Sequence, residues 1–263
     1  MAYNTTGKSH SNGIGNEVFV QNKLSTCNTN SFGNCPDVEK RGGTSNKEDL
    51  AIPSGNKEVK ISCKNNSHGT YDYSNTSNWD NEKYQKAKEE VRKLGESVRE
   101  SFSGTPKDFK NSQEKKELKK SVKNTASDLL DSFGSDDIKD IIEEQAFGSY
   151  FDEGWYFTVT DKQKNINIFQ TTNLPAIEDI AAGKVREYKF KKLKGIESRK
   201  VIAIHHDGTE HDYGLRVRAV TNNGIGALAG KNEGKNNNST FVIKVQQDSP
   251  MKHLPAASKI EVV

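Results

Sequence analysis

A segment of alternating polar and apolar residues near the N-terminus constrains the fold more than any other part of the chain. Between Lys57 and Lys64 the polar positions recur at every second residue, namely Glu58, Lys60, Ser62 and Lys64. This period of two is typical of a β-strand with one solvated face and one buried face. A strand-like run precedes it, and Ser54-Gly55-Asn56 between the two runs predicts a tight turn. Residues 45–64 are therefore expected to form a β-hairpin.

The hairpin carries charged residues of the types that form metal sites. Asp49 opens the first strand, while Glu58 and Lys60 lie early on the polar face of the second. We expect these three side chains to converge, because residues on neighbouring strands lie side by side. Carboxylate oxygens are the ligands that Mg²⁺ prefers, and a lysine beside them can orient or activate water.

This layout resembles the core of the PD-(D/E)xK nuclease superfamily, which includes most type II restriction endonucleases. That family has an acid on one strand, (D/E)-x-K on the next, and often a further Glu on a preceding helix. Asp49 matches the first acid, Glu58-Val59-Lys60 the second acid and the lysine, and Glu17 the helical glutamate. The resemblance covers roughly the first quarter of the chain. It implies a Mg²⁺-dependent phosphodiester hydrolase with Asp49 and Glu58 as metal ligands.

Two alternative interpretations of these residues stay open. Pro36-Asp37 is a literal Pro-Asp pair and offers a rival first acid, although Asp49 alone is followed directly by an apolar strand-like run. Glu58 and Lys60 also suit an exposed edge strand whose charges merely keep it soluble.

The remaining sequence predicts an α/β fold, a mixed β-sheet flanked by helices around a restriction-endonuclease-like core, with a largely β C-terminal half. Apolar residues recur at helical spacing within 78–148, and strand-like runs dominate 154–263. We expect a single domain over residues 1–263, with segments near 70–77 and 149–154 as candidate boundaries.

Composition limits the cellular compartment in which the protein is expected and the partners that it is expected to bind. The net charge is only +3, so binding to nucleic acid would depend on local basic patches. No apolar run approaches the roughly 20 residues that span a bilayer, and the N-terminus lacks the apolar core of a signal peptide. The three cysteines, an odd number, have no zinc-like spacing. These features predict a cytoplasmic protein without membrane contact.

The C-terminal strands contain side chains that suit DNA recognition. Arg216 and Arg218 share one face of a predicted strand, and an Asn-Asn-Gly turn follows it. Arginine can contact guanine or phosphate, and Asn and Gln can contact adenine in the major groove. The predicted DNA-binding residues are Lys64, Arg216, Arg218, Asn222, Asn223 and Gln247.

A histidine-rich hairpin, His205 to Asp212, is a weaker candidate for a metal site. Its Asp-Gly-Thr segment is typical of an ordinary turn, and we expect the alternating strand faces to disperse its side chains.

Taken with the resemblance, these residues predict a type II site-specific deoxyribonuclease that cuts double-stranded DNA with Mg²⁺. A protein that reads a palindrome is expected to be a C2 homodimer. A structure-specific or repair nuclease without base readout, and a non-enzymatic DNA-binding protein, remain alternatives.

Overall fold

The computed structural model describes residues 8–34, 36–41, 48–54, 56–65, 70–76, 78–233, 236–248, 252, 254 and 261–262. In chain order the α-helices are α1 (Lys8–Thr26), α2 (Glu82–Ser101), α3 (Pro106–Phe109), α4 (Gln113–Ser132), α5 (Ser135–Lys139), α6 (Pro175–Ala181) and α7 (Gly224–Leu228). A π-helix spans Asp140–Ala146, and short 3₁₀ helices span Gly148–Phe151 and Thr171–Asn173.

The first strands along the chain are β1 (Asn28–Thr29), β2 (Gly33–Asn34), β3 (Glu39–Lys40), β4 (Leu50–Ser54), β5 (Lys57–Asn65), β6 (Thr70–Asn75) and β7 (Trp155–Thr160). The later strands are β8 (Ile166–Gln170), β9 (Val185–Lys192), β10 (Ser198–His205), β11 (Glu210–His211), β12 (Leu215–Thr221), β13 (Phe241–Asp248) and β14 (Glu261–Val262). The protein is thus α/β, as predicted.

The chain divides into two compact units, whereas the sequence predicted one domain. Unit 1 comprises Met1–Tyr71, Ser149–Gly183 and Asp248–Val263, and unit 2 comprises Asp72–Gly148 and Lys184–Gln247. The first two crossings between units fall at the candidate boundaries near residues 70–77 and 149–154. The later crossings fall beside helix α6 and strand β13 and have no comparable signal in the sequence.

Unit 1 contains a mixed sheet with the strand order β14-β8-β7-β5-β4-β3. Strands β3, β4 and β5 form an antiparallel meander, and β7 lies parallel to β5 before β8 returns antiparallel. The predicted hairpin is present, and Ser54 pairs with Lys57 across its turn. Gly55 of that turn lies outside the described residues.

Helix α1 covers one face of this sheet. Val20 and Leu24 on the helix are fully buried against Leu50, Ile52 and Ile61 of the hairpin. Val59 and Cys63 belong to the same apolar side of β5, so the predicted alternation of faces is confirmed. The packing leaves Ser62 and Lys64 on the opposite side of the strand.

Unit 2 contains a second sheet with the order β11-β10-β12-β13-β6, and β9 pairs with the other edge of β10. The pairs of β10 with β9, β11 and β12, and of β12 with β13, are antiparallel. The helices predicted within 78–148 are present as α2 to α5 and the π-helix.

The residues of β12 alternate as expected, with Leu215, Val217 and Ala219 buried. Within the part of the chain that the structure describes, no helix is long and apolar enough to cross a membrane.

The packing of α1 on β5 generates a stability prediction. Ile61→Ala removes a fully buried side chain from the apolar cluster beneath α1, and we expect a loss of about 2–5 kcal/mol in the free energy of unfolding. Val59→Ala is the matched control, because Val59 lies on the same face but is only partly buried. Urea denaturation of both variants measures the difference, and equal losses would contradict this account of the cluster.

Candidate active site

The position of Asp49 is fixed at the start of β4 by contacts to β5. Its backbone N–H donates to the carbonyl of Ile61 at 2.8 Å. Its carboxylate accepts a 2.6 Å hydrogen bond from the backbone N–H of Cys63 and a 3.3 Å hydrogen bond from the hydroxyl of Ser62. Because Leu50 pairs with Ile61, the antiparallel register places Asp49 opposite Ser62.

The electrostatic surroundings of Asp49 identify its charged neighbours. Burial raises the pKa of the Asp49 carboxyl, while the charge of Lys64 and the hydrogen bond from Cys63 oppose that rise. The negative charge of Glu17 raises the same pKa further. Glu17 and Lys64 are thus the charged side chains whose fields act on the Asp49 carboxyl, and we call Glu17, Asp49, Ser62 and Lys64 the Asp49 site.

Each charged group of the Asp49 site is anchored by a further contact. Glu17 projects from α1 and forms an ion pair with Lys40 at 3.2 Å. Its side chain retains only 17% exposure. The ammonium of Lys64 lies 5.6 Å from the centre of the Phe157 ring on the parallel strand β7, a distance at which a cation is attracted to the ring.

A buried tyrosine, Tyr150, interacts with Ser62 of the Asp49 site. Burial raises the pKa of the Tyr150 hydroxyl, and the interaction with the Ser62 hydroxyl opposes that rise. Both residues are about 1% exposed. The ring of Tyr150 packs edge-on against Trp155 and Phe157 at centroid distances of 5.1 Å and 4.9 Å. The Ser62 hydroxyl thus interacts both with Tyr150 and with the carboxylate of Asp49.

The predicted convergence of Asp49, Glu58 and Lys60 is wrong. Glu58 pairs with Pro53 near the turn, four residues along β5 from Ser62, which corresponds to about 13 Å. Its carboxylate accepts a 2.7 Å hydrogen bond from Arg41. Lys60 extends over the ring of Trp155, with its ammonium 5.5 Å from the ring centre. The hairpin register separates Glu58 from Asp49, whereas Lys60 and Lys64 each lie two residues from Ser62, the residue opposite Asp49. Of these two lysines, Lys64 is the one whose charge acts on the Asp49 carboxyl.

The rival acid Asp37 lies in the segment before β3 and is exposed to solvent. Asp49, in contrast, is half-buried and accepts two hydrogen bonds from β5. The geometry therefore favours Asp49 as the acid beside the lysine.

The Asp49 site has the donor chemistry of a magnesium site. Asp49 and Glu17 provide carboxylate oxygens, which are hard ligands of the kind that Mg²⁺ selects. Since the charge of Glu17 disfavours ionisation of Asp49, a divalent cation between them would relieve this repulsion. The residues present therefore fit the ion, although Ser62 stands where the resembled family has a second strand acid.

Sequence reasoning missed Ser62 and Tyr150 for different reasons. The tight turn already implied the register, and counting back from it pairs Asp49 with Ser62. Tyr150 carries no local signal, because its contact with Ser62 arises only where the chain returns to unit 1.

Among the predicted DNA-binding residues, Gln247 is placed where it cannot contact a ligand. It is 1% exposed, its amide oxygen accepts a 2.6 Å hydrogen bond from the Tyr73 hydroxyl, and its amide nitrogen donates to the carbonyl of Tyr213 at 2.8 Å. The prediction failed because residue 247 lies on the buried face of β13, opposite Leu215.

The amides of Asn222 and Asn223 are occupied within their own loop. Asn222 accepts a 2.8 Å hydrogen bond from the backbone N–H of Thr240 and donates to the Thr240 hydroxyl at 3.1 Å. Asn223 donates to the carbonyl of Asn238 at 2.5 Å. Both side chains thus stabilise the loop after β12, and this accounts for their presence without base contacts.

Arg216 and Arg218 share a partly exposed face of β12, as the alternation predicted. Lys64, predicted as a DNA contact, lies in the Asp49 site instead of a separate binding surface.

The histidine-rich hairpin does not disperse its side chains, contrary to expectation. Because Ala203 pairs with His211, His205 and His211 fall on the same face. Their rings stack with centroids 3.8 Å apart. The Nε2 atom of buried His205 lies 2.9 Å from the Tyr213 hydroxyl, so this pair is integrated into the packing of unit 2.

Comparison of the chain with protein-family models, curated proteins and solved structures finds no match.

The raised pKa of Asp49 predicts that this residue destabilises the protein in the absence of metal. A folded-state pKa above the ordinary value of 3.8 means that ionising Asp49 costs stability as the pH rises through the folded pKa. Asp49→Asn should therefore increase the free energy of unfolding at neutral pH in EDTA, and the gain should vanish below about pH 3.8.

Asp131→Asn in unit 2 is the matched control. Burial alone would raise the pKa of the Asp131 carboxyl, but the hydrogen bond from Arg199 helps to lower it. Ionised Asp131 therefore stabilises the fold above its unfolded pKa. This variant should lose stability at neutral pH. Denaturation curves across pH measure both effects, and a loss of stability in Asp49→Asn would contradict the burial argument.

Proposed function

We propose that this protein is a Mg²⁺-dependent endonuclease that hydrolyses double-stranded DNA at a specific short sequence, as a type II restriction endonuclease does. The observation that carries the proposal is the Asp49 site. A half-buried carboxylate is fixed on one strand, a lysine lies two residues beyond its partner on the next, and the charge of a glutamate on the preceding helix acts on that carboxylate. This is the layout of the resembled family, with Ser62 replacing one acid.

The architecture of unit 1 supports the same proposal. A helix, an antiparallel meander of three strands and a parallel fourth strand surround the site in that chain order. The meander places the acid and the lysine side by side, while the parallel strand β7 provides the aromatic residues that hold Lys64 and Tyr150.

The residues of the site have separable roles in hydrolysis. Asp49 and Glu17 would hold the ion, which supplies positive charge at the phosphate and acidity at the attacking water. Lys64 can orient that water, or donate a hydrogen bond to the phosphate oxygens as negative charge develops on them. Ser62, held by Tyr150, keeps the Asp49 carboxylate in one orientation. Water adds to phosphorus, the bond to the leaving oxygen breaks, and that oxygen takes up a proton.

A C2 homodimer remains part of the proposal, because a palindromic site presents the same surface twice. A non-enzymatic DNA-binding protein is the second candidate. The observation that favours it is the serine opposite Asp49, since a neutral side chain there lowers the number of carboxylates available to a cation.

Incubation with a mixed plasmid substrate separates these functions. The nuclease should produce discrete fragments with uniform termini in Mg²⁺ and none in EDTA. Cleavage that ignores sequence would indicate a repair or structure-specific nuclease. Binding without cleavage in Mg²⁺ or Mn²⁺ would support the non-enzymatic alternative and reject the proposal.

Lys60 and Lys64, two of the three lysines of β5, provide the sharpest test of the site. Lys64→Met should reduce the cleavage rate by about 10²-fold or more, because it removes the cation beside Asp49. Lys60→Met is the matched control, since it lies on the same face of the same strand but extends over Trp155. Single-turnover cleavage rates at saturating enzyme measure both variants. A larger loss in Lys60→Met would return the site to the literal Glu-x-Lys.

A further inference from the structure

Basic side chains line up across four strands of the unit 2 sheet. Lys191 on β9 pairs with Lys200 on β10, and Lys200 pairs in turn with Arg216 on β12. Two residues further along β12, Arg218 pairs with Lys244 on β13. Directly paired residues project from the same side of a sheet. We call this side the basic face, and it consists of Lys191, Lys200, Arg216, Arg218 and Lys244.

The basic face lies on the side of the sheet opposite the apolar residues of β12, and two neighbours on its own side, Ile202 and Val242, are buried. The alternate residues Val217 and Val245 are fully buried on the other side of the sheet. Arg199, also on that side, is held by Asp131 and Ser127 of helix α4. On the basic face, in contrast, the side chains of Lys200 and Arg218 keep 34% and 43% exposure.

This arrangement brings like charges next to each other on neighbouring strands. Like charges placed directly opposite each other on neighbouring strands repel, and Lys191, Lys200 and Arg216 form an unbroken row of three. Asp212 forms an ion pair with Lys200, and Glu197 lies 3.9 Å from Arg218, so carboxylates at the margins offset part of the repulsion. A polyanion laid across the row would remove the remaining repulsion.

Charge is also segregated within unit 2. Residues 184–247 carry thirteen lysines and arginines against six acidic residues, whereas residues 72–148 carry fourteen against seventeen. The sheet segment is therefore strongly positive and the helical segment slightly negative. Such a separation attracts a polyanion to the strands even though the net charge of the whole chain is only +3.

We infer that the basic face binds the phosphate backbone of double-stranded DNA. The choice of DNA rests on the proposed nuclease function. Arginine grips phosphate oxygens with its fork of donors, and lysine binds them as a point charge. Neighbouring strands lie about 4.8 Å apart, so the face spans about 14 Å from β9 to β13. A row of cations matches repeating phosphate charge, so Arg216 and Arg218 position the duplex instead of reading its bases.

The test compares two adjacent lysines of β9. Lys191→Gln removes a member of the basic face, while Lys192→Gln removes a lysine of the opposite face that pairs with Asp131. Fluorescence anisotropy with labelled mixed-sequence duplexes, in EDTA and across a salt series, gives the affinity and its salt slope. We expect Lys191→Gln to weaken binding to every duplex and to lower the slope by about 0.9 for a lost phosphate contact. Lys192→Gln should leave both unchanged.

Charge reversal by Lys191→Glu and Lys244→Glu provides a second, independent pair of variants, with thermal unfolding as the check on folding. An unchanged salt slope in these variants, an equal loss in Lys192→Gln, or a loss confined to one duplex sequence would each overturn the inference. Asp49→Asn keeps the two proposals distinguishable, because it removes a proposed metal ligand and leaves every residue of the basic face in place. Duplex bound through the basic face without Mg²⁺-dependent cleavage by the wild type rejects the nuclease alone, whereas cleavage with an unchanged salt slope rejects only the basic face.

Discussion

The antiparallel register between β4 and β5 is the constraint on which the candidate chemistry depends. A tight turn pairs Ser54 with Lys57, and every later pair in the hairpin follows from that one. The backbone N–H of Asp49 therefore meets Ile61, and its carboxylate meets Cys63 and Ser62. A shift of one residue would exchange the buried and solvated faces of β5 and remove Lys64 from the acid.

The cost of burying Asp49 supports the proposal that this position has a use beyond packing. Burial raises its pKa, and the charge of Glu17 adds to the cost, although an asparagine could accept the same backbone hydrogen bond. Proteins place perturbed acids of this kind at functional sites more often than elsewhere. The hydrogen bonds from Ser62 and from the backbone N–H of Cys63 orient the carboxylate in spite of that cost.

The basic face of unit 2 also depends on strand register, which there brings several charged residues together. The apolar residues of β12 determine which side of the strand is buried, and the alternation then forces the arginines to the other side. What alternation does not determine is which neighbours they meet. The registers of β9, β10 and β13 place cations next to cations, and a ligand of opposite charge would add to the compensation that Asp212 and Glu197 already provide.

Local patterns in the sequence determined the hairpin, the helices within 78–148, the strand-rich C-terminal half and the α/β class, because period and turn chemistry act over a few residues. The sequence also predicted functional roles for Asp49, Glu17 and Lys64. Tertiary structure decided which of these residues meet. In the folded protein Glu58 forms an ion pair with Arg41, and Gln247 is buried. Asn222 forms hydrogen bonds within its own loop, and the ring of His205 stacks on that of His211. These outcomes depend on strand register and on chain crossings between units, which bring together residues far apart in sequence.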